Sequence, residues 1–506
     1  MTSRRRRIVA LLTVLASLGG GTAIARASVV TAAVSDVPVT RPLPSGFLGL
    51  ALEYNTIPTW FGSGQTVDPV LERLIRNLDP VGRPVLRVGG QSTDRTWWPV
   101  RGMARPLGVT YDLTPSWTAI AHRFAQAMDL RMMLGVNLEA DRTRISQVEA
   151  AQLLDGVGRP YVDSLQIGNE PDLYPVVPWY RSLHGHPEPW YGDAGTPVYS
   201  RGRSYSPAGF TAEFARTLRV MPRVAIAGPE TSRVPWMAAF SRLLTPASPV
   251  RALTTHAYPL INCVTDPASP QYPSVPNLLS LTASRNLLGG GLRSYVGVAH
   301  RAGASFRVDE MGSISCNGRP GVSDTMASAL WSLDALFSLA RAGVDGVNLH
   351  TYPNSVNSLF NIARSGAGWE ATVRPLYYGA LLFAEAAPEG SQLLRVASGD
   401  PKVVRIWATR GSDNSVRVLL INDSLSGGAS IALRAPAGYG SEPGAIESLL
   451  ASSAYAQDVT LGGQSFGTTT TGALGAPVPQ TVAPRAGSYE MTLPSASATL
   501  LTLSPP

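Results

Sequence analysis

Lysine is almost absent from this chain of 506 residues, in which Lys402 is the only one. Charged residues make up 15% of the sequence, and nearly every cation is an arginine. Residues 1–27 contain five arginines and no acidic residue, so without them the net charge falls from +7 to +2. So small an excess of positive charge does not indicate a phosphate-binding surface, and we expect no nucleic-acid partner.

Cysteine is also scarce, with only Cys263 and Cys316 in the whole chain. Two cysteines cannot supply the ligands of a usual structural zinc site, and the histidines show no pattern that would complete one. We therefore expect neither a metal nor another cofactor. In an exported protein, a pair of cysteines is more often bridged than free.

Long apolar runs are missing after the first residues of the chain. The one at the start, Ile8–Leu18, follows Arg4–Arg7 and precedes "GGGTAIARAS", whose small residues suit cleavage after Ala25 or Ala27. An uncleaved membrane anchor is the alternative. We predict that residues 1–27 are a signal peptide and that the protein is secreted or extracytoplasmic, with no membrane contact after cleavage.

Eight short β-rich runs alternate with amphipathic helical stretches over residues 46–388. This alternation indicates a parallel sheet, and eight units predict an α/β fold of the (β/α)8 TIM-barrel type. The runs begin at Phe47, Val85, Arg131, Val162, Arg223, Val250, Ser305 and Gly346.

Polar residues stand at or near the carboxyl end of every one of these runs. Buried parallel strands are otherwise continuously apolar, and a TIM barrel carries its active site on the face where its strands end. Strand-to-loop boundaries explain some polar residues, but they do not predict carboxylates at four tips. The tip residues are Glu53, Gln91, Asn137, Glu170, Glu230, His256, Glu310 and His350.

After residue 388 the sequence changes to short alternating apolar and polar runs cut by Gly, Ser and Pro. This texture predicts a C-terminal antiparallel β-sandwich over residues 389–506. The strand-like segment 28–45 is predicted to join it. The Gly-, Thr- and Pro-rich segment 462–480 is predicted to be a loop.

Two tip carboxylates belong to the fourth and seventh strands, Glu170 in "QIGNEP" and Glu310 in "RVDEMG". Strand alternation predicts that Asp309 points away from the mouth, as a structural group. Two acidic side chains flanking a sugar bond are the minimum for glycoside hydrolysis, and their mutual repulsion favours one protonated partner. Other carboxylates compete for these roles, namely Glu53, Asp94, Glu139 and Glu230.

Two motifs, "IGNEPD" at 167–172 and "VDEMGSISCNG" at 308–318, resemble those of the clan A retaining glycoside hydrolases. Together with "FLGLALEYN", "LRVGGQSTD", "THAYP" and the trailing sandwich, they are most similar to family 79, the heparanase and β-glucuronidase family. The resemblance implies that Glu170 is the acid/base, that Glu310 is the nucleophile, and that Asn169 binds the sugar 2-hydroxyl. The reaction it implies is double displacement with retention.

The resemblance also implies sugar-binding roles for four further residues. Glu53 and Gln91 would form the floor of the sugar pocket, Tyr258 would contact the nucleophile, and Tyr352 would contact the carboxylate of a uronic acid. Either tyrosine is alternatively a packed core aromatic with a satisfied hydroxyl. His256 and His350 are second-layer groups or core histidines.

The segment after Glu310 departs from the best-known family members, which carry a tyrosine and paired glycines there. In "SISCNG", Asn317 and Gly318 would supply the backbone N–H groups for the uronate, and the tyrosine is missing. We expect a carbohydrate substrate, a β-glucuronide by this resemblance. The alternatives are a β-glucosidase, a β-xylosidase, or a non-catalytic carbohydrate-binding protein.

We make two further predictions about loops near the predicted mouth of the barrel. Cys263 lies just past the sixth strand and Cys316 just past the seventh, so we predict a disulfide that anchors the loop carrying Asn317. Residues 174–205 are rich in Trp and Tyr, whose rings stack on sugars. This segment either walls the pocket or only covers the barrel.

Overall fold

The computed structural model describes residues 29–285, 291–366, 368–398, 400 and 402–505. The signal peptide predicted over residues 1–27 lies outside the described residues. Within the described ranges, no helix has the length and apolar character needed to cross a bilayer.

Eight parallel strands form a closed barrel in chain order, and the eighth pairs with the first. The predicted (β/α)8 TIM barrel is therefore confirmed. The strands are β1 (Leu48–Glu53), β2 (Val85–Gly89), β3 (Arg131–Val136), β4 (Val162–Ile167), β5 (Ile226–Thr231), β6 (Val250–Ala257), β7 (Ser305–Met311) and β8 (Gly346–His350).

Helices of seven residues or more surround the barrel. They are α1 (Pro69–Leu78), α2 (Pro115–Met128), α3 (Thr143–Val157), α4 (Pro207–Leu218), α5 (Val234–Phe240), α6 (Gly291–Arg301), α7 (Met326–Ala342) and α8 (Pro375–Ala386). Three of them start with proline after a capping side chain, because proline needs no N–H at the first helical position. The caps are Asp68 for α1, Thr114 for α2 and Ser206 for α4.

The amino-terminal end of the barrel is closed by a buried polar network. Arg307 on β7 donates hydrogen bonds to the Asn348 side chain and to the carbonyl of Gly46 (2.9 Å). Asn348 in turn donates to the carbonyls of Leu50 (2.9 Å) and Val85 (3.1 Å). This network fills the end of the barrel opposite the one where the tip residues lie.

The C-terminal domain is a ten-stranded sheet that folds around its own apolar core. Strand Val29–Pro38 lies inside it, antiparallel to Gln392–Ser398 and parallel to Ala429–Arg434. This parallel pair departs from the all-antiparallel sandwich that we predicted, because a strand from the other end of the chain enters the sheet between these two strands. The other strands are Arg405–Arg410, Val416–Asn422, Gly444–Leu450, Thr460–Leu461, Gln480–Val482, Ser488–Leu493 and Ser497–Leu503.

The sheet domain packs against α7, whose residues are buried on every side except at Arg341. Asp334 on α7 accepts hydrogen bonds from Arg405 Nη1 (2.7 Å) and Trp407 Nε1 (2.8 Å). The rings of Phe337 and Trp407 stack with their centroids 5.4 Å apart. A charge-assisted network inside an apolar interface fixes the two domains relative to each other.

Part of the segment predicted as a loop returns to the barrel. Strand Thr468–Thr469 pairs with Gly368–Val373, and the ring of Phe466 contacts that of Tyr377 at 5.3 Å. The chain therefore crosses the predicted domain boundary at residue 389 a second time. Two threonines and a phenylalanine in the Gly-rich segment contact residues of the barrel domain.

Candidate active site

The tip of β4 turns sharply and directs two polar side chains into the barrel mouth. Glu170 has a left-handed backbone (φ 45°), and its N–H donates to the carbonyl of Glu230 (2.7 Å), itself left-handed (φ 60°). The N–H of Asn169 donates to Oδ2 of Asp94 (2.9 Å). Pro171 then begins a short 3₁₀ turn. These contacts hold a conformation that non-glycine residues adopt only when the surroundings fix it.

Glu170 and Glu310 face each other across the mouth. A carboxylate oxygen of Glu170, one of Glu310 and a ring nitrogen of His256 all lie within 4.8 Å of one another. His256 Nδ1 is 3.0 Å from Oε1 of Glu170 and 3.9 Å from Oε1 of Glu310. The side chains of Glu170 and Glu310 are 13% and 7% exposed. Both carboxylates therefore share one small, nearly buried space that remains open to solvent.

Arg87, in the middle of β2, is the cation at the centre of this site, and its side chain is only 1% exposed. Its Nη1 donates to Oε2 of Glu310 (2.6 Å), and its Nη2 donates to Oδ1 of Asn169 (2.7 Å) and Oε2 of Glu230 (3.0 Å). Its Nε donates to Oε1 of Gln166 (3.2 Å). The planar guanidinium thus orients the nucleophile candidate and the amide beside the acid candidate at the same time.

Below this layer lies a second pair of carboxylates. The amide of Gln166 donates to Oε1 of Glu230 (2.6 Å) and to Oδ2 of Asp309 (2.7 Å). Burial and the charge of Glu230 raise the pKa of Asp309 well above its ordinary range, so we place the shared proton on Asp309. Burial would raise the pKa of Glu230, but Asp309 and Arg87 lower it to about 2.

The prediction that strand alternation turns Asp309 to the side opposite Glu310 is wrong, but Asp309 is a structural group beneath the site, as expected. Its Oδ2 lies 3.6 Å from Nε of Arg87, the same side chain that binds Glu310. The pairing of β7 with β8 shifts register between Val308 and Met311, which breaks the strict alternation on which that prediction depended. Asp309 is nevertheless fully buried beneath the site, with no access to a ligand in the mouth.

On its other side Glu310 is held by a chain of polar groups. The hydroxyl of Tyr258 donates to Oε1 of Glu310 (2.8 Å) and lies 2.9 Å from Nδ1 of His350. Nε2 of His350 lies 3.1 Å from Oε1 of Glu53, whose Oε2 accepts the N–H of Ser92 (2.8 Å). The contact expected between Tyr258 and the nucleophile candidate is present in the structure.

The surrounding positive charge keeps Glu310 ionised. Burial would raise its pKa, but the charges of His350, His256 and Arg87 and the Tyr258 hydroxyl outweigh burial and lower the pKa well below its ordinary range. Burial would lower the pKa of His256, but Glu310 and the hydrogen bonds to Glu170 and Glu230 raise it well above its ordinary value. These surroundings favour the ionised form of Glu310, which is the form that a carboxylate nucleophile needs.

The remaining predicted site residues lie around the rim. Gln91 Nε2 donates to Oε2 of Glu170 (3.4 Å), and its Oε1 accepts from Arg95 (2.9 Å). The hydroxyl of Tyr352 donates to Oδ1 of Asn317 (2.6 Å). Asn317 and Gly318 both have a left-handed backbone, with φ of 71° and 79°. A Cβ at Gly318 would lie 2.8 Å from the Val356 side chain, so the turn requires glycine here.

The predicted disulfide is not formed in the structure. Cys263 and Cys316 are free thiols, and their sulfur atoms are 3.1 Å apart, well beyond the S–S bond length of about 2.05 Å. The neighbouring strands Leu260–Ile261 and Ile314–Ser315 pair and bring the two loops together as expected. Bond formation under oxidising conditions therefore stays a prediction.

The aromatic segment after Glu170 is more ordered than a loop. Its strands Tyr180–Leu183, His186–Glu188 and Thr196–Val198 form a small sheet. The guanidinium of Arg95 lies over the ring of Trp190 at 5.0 Å. Since Arg95 also contacts Gln91, this sheet is connected to the rim of the site.

Two groups of side chains have donor atoms close enough to hold a cation, one of Glu170, His256 and Glu310, and one of Glu230, His256 and Asp309. Arg87 already donates to Glu310 and Glu230 and supplies a fixed positive charge to both groups. A divalent ion would have to displace or sit beside this guanidinium, so the donor set is better suited to carboxylate chemistry than to a metal.

Sequence reasoning missed Arg87, which organises the whole site. A signal was present, because an arginine inside the apolar strand "VLRVGG" must find buried anionic partners. It also left His256 unassigned, although this side chain contacts both candidate carboxylates.

Neither a protein-family profile nor a curated protein sequence matches the chain. Among solved structures it is similar to a 4-O-α-L-rhamnosyl-β-D-glucuronidase from Fusarium oxysporum 12S, with 17% identity and a TM-score of 0.69. It is also similar to the GH51 arabinofuranosidase from Xanthomonas axonopodis pv. citri (15%, 0.63) and to Cel44A, a GH family 44 endoglucanase from Clostridium thermocellum (12%, 0.57). Each comparison covers 94% of this chain and 100% of the other. The chain thus shares its fold with these solved glycoside hydrolases over both the barrel and the trailing sheet domain.

Proposed function

We propose that this protein is an exported retaining glycosidase that hydrolyses β-glucuronides by double displacement. One observation carries the proposal: Glu170 and Glu310 place carboxylate oxygens within 4.8 Å of each other in one solvent-accessible cleft. In retaining enzymes the two carboxyl groups stand about 5–5.5 Å apart, whereas inverting enzymes need roughly 6.5–9.5 Å to admit a water molecule.

We assign the two carboxylates different roles in this reaction. Glu310, ionised between Arg87 and the two histidines, attacks the anomeric carbon and forms a glycosyl-ester bond. Glu170 donates its proton to the leaving oxygen, so that the glycosidic bond breaks and a neutral alcohol departs. Glu170, now a carboxylate, then takes a proton from water, whose oxygen attacks the same carbon and releases Glu310. Two displacements at one carbon retain its configuration.

Neighbouring polar groups stabilise the transition state of this reaction. The amide of Asn169 is fixed through Oδ1 by Arg87, which leaves its NH₂ group free to donate to the sugar 2-hydroxyl. Such a bond strengthens as oxocarbenium character develops. Glu53 and Gln91 follow neighbouring strands, and in this proposal each offers a polar group to a ring hydroxyl.

Three rim residues support a uronic acid as the sugar. The Tyr352 hydroxyl and the left-handed turn at Asn317 and Gly318 lie together, and consecutive backbone N–H groups in such a turn form a concavity for an anion. The motifs resemble family 79, and one solved structure of similar fold is of a glucuronidase. The competing specificity is a β-glucosidase or β-xylosidase, which would need no anion contact here.

A panel of aryl β-glycosides tests the proposal. Wild type should hydrolyse the β-glucuronide at least tenfold faster, in kcat/KM, than the β-glucoside or β-xyloside. Glu310→Gln and Glu170→Gln should each lower kcat by about three orders of magnitude or more, in line with loss of a covalent nucleophile or its proton donor. Glu72→Gln on the outer face of α1 is the matched control. Preference for the glucoside would overturn the uronate assignment, and full activity of Glu310→Gln would overturn the mechanism.

A further inference from the structure

A cavity of about 550 Å³ lies beside the loop that carries Glu170, between the segments that follow β4 and β5. Its volume is in the range of small-molecule pockets. The residues that hold Glu310, namely Arg87, Tyr258 and His350, are not among those that line it. Asp172, two residues after Glu170, is part of its wall. The cavity therefore lies beside the segment that follows Glu170 and away from the groups that hold Glu310.

The wall of this cavity is positively charged. Arg203 and Arg233 line it, and its one acidic lining residue is Asp172. Asp172 is engaged elsewhere, because its carboxylate accepts the hydroxyl (2.7 Å) and the N–H (3.1 Å) of Ser232. Arg233 Nε stays 3.8 Å from it, and within the described part of the chain the Arg203 side chain makes no hydrogen bond or ion pair. At least one guanidinium is thus free to bind an anion.

The same cavity offers flat apolar surface next to these cations. Trp236 is packed at 5.6 Å against the ring of Tyr205, and both line the cavity together with the half-exposed ring of Tyr199. Aromatic faces bind sugar or aryl rings, and the two arginines would bind an acidic substituent of such a ring. The cavity wall therefore has the groups needed to bind a ring that carries a negative charge.

We propose that this cavity binds the leaving group, and that it favours leaving groups in which a carboxylate or sulfate accompanies a ring. The assignment to the leaving-group side rests on the proposed function, because the general acid must stand next to the oxygen that departs. Asp172 in the cavity wall is two residues after Glu170, so the cavity lies next to the segment that carries the proposed acid. A leaving group protonated by Glu170 thus extends toward Arg203 and Arg233.

A matched pair of substrates tests this selectivity. The β-glycosides of 4-hydroxybenzoate and of 4-hydroxybenzamide differ by one charge and little in shape. We expect wild type to favour the acid in kcat/KM, and the double variant Arg203→Gln/Arg233→Gln to lower the acid-to-amide ratio at least fivefold. Arg219→Gln, at the far end of α4, is the control and should leave the ratio unchanged. An unchanged ratio in the double variant would overturn the proposal.

A binding measurement separates this inference from the proposed hydrolysis. Quenching of tryptophan fluorescence by 7-hydroxycoumarin-4-acetate, compared with its amide, reports occupancy without any turnover. The acid should bind at least fivefold more weakly to the double variant, and the amide equally to both proteins. This result would support an anion-binding cavity even if no glycoside were hydrolysed. Equal binding of acid and amide to wild type would refute the cavity's selectivity and leave the glycosidase proposal standing.

Discussion

Nη1 of Arg87 donates a hydrogen bond of 2.6 Å to Oε2 of Glu310, and neither side chain is more than 7% exposed. The same guanidinium binds Asn169 and Glu230 through Nη2. An isolated carboxylate in such a place would take up a proton, because burial penalises its charge. The ionised state of Glu310, and hence its proposed use as a nucleophile, therefore depends on the charges of His350, His256 and Arg87 around it.

Arg87→Lys should keep the charge but lose most of these hydrogen bonds, because one ammonium group cannot reach all the acceptors that the guanidinium serves. We expect kcat/KM to fall about 100-fold, equivalent to about 2.7 kcal/mol, with a native circular dichroism spectrum. Arg307→Lys, at the closed end of the barrel, is the matched control for replacing a buried arginine. It should lower stability without this loss of activity. An equal effect of both variants on kcat/KM would show that Arg87 acts only through folding.

Much of the fold could be predicted from the sequence because a parallel barrel requires a simple pattern of residues. Its strands are buried on both faces and end in polar residues, as at Glu170 and Glu310, so both the count and the active face were predictable. Details that depend on register were not. Asp309 reaches Arg87 because of a local shift in pairing that no alternation rule contains.

The pairing of strands that are distant in sequence could not be predicted from the pattern of residues either. Strand Val29–Pro38 could pair with several strands of similar composition, and its parallel partner Ala429–Arg434 is selected by packing of the whole sheet. The central role of Arg87 depends on four strands meeting at one point. An individual strand shows only that a buried cation needs partners, without showing which ones.

Glu139 should make stability depend on pH. It is buried, and burial together with the charge of Asp94 raises its pKa from 4.5 to about 8. A folded-state pKa above the unfolded value means that stability is fully present below about pH 4.5 and is lost as pH rises toward 8. Glu139→Gln retains the acceptor for the Ser200 hydroxyl. Between pH 5 and 8, the free energy of unfolding of the variant should therefore rise relative to that of wild type by on the order of 1 kcal/mol or more.

Urea unfolding of both proteins at several pH values measures this difference directly. The difference in unfolding free energy between Glu139→Gln and wild type should increase from pH 5 to 8 and then remain constant. A gap that does not change with pH would show that Glu139 is already ionised in the folded protein.

The two cysteines should respond to oxidation. Cys263 and Cys316 are 53 residues apart in sequence, and their sulfur atoms are already in contact. Closing a loop of this length stabilises the folded state by about 4 kcal/mol in the chain-entropy model. Mild oxidation should lower the number of titratable thiols from two to none and should raise the melting temperature. Cys263→Ser should abolish the rise, and two thiols that persist after oxidation would contradict the prediction.

The configuration of the first product tests the central claim most directly. Proton NMR during hydrolysis of an aryl β-glucuronide distinguishes the anomers before they interconvert. If Glu310 forms a glycosyl-enzyme and Glu170 activates the water, the β anomer appears first and the α anomer follows only by mutarotation. An α anomer as the first product would mean a single displacement by water, and Glu310 could not be the nucleophile.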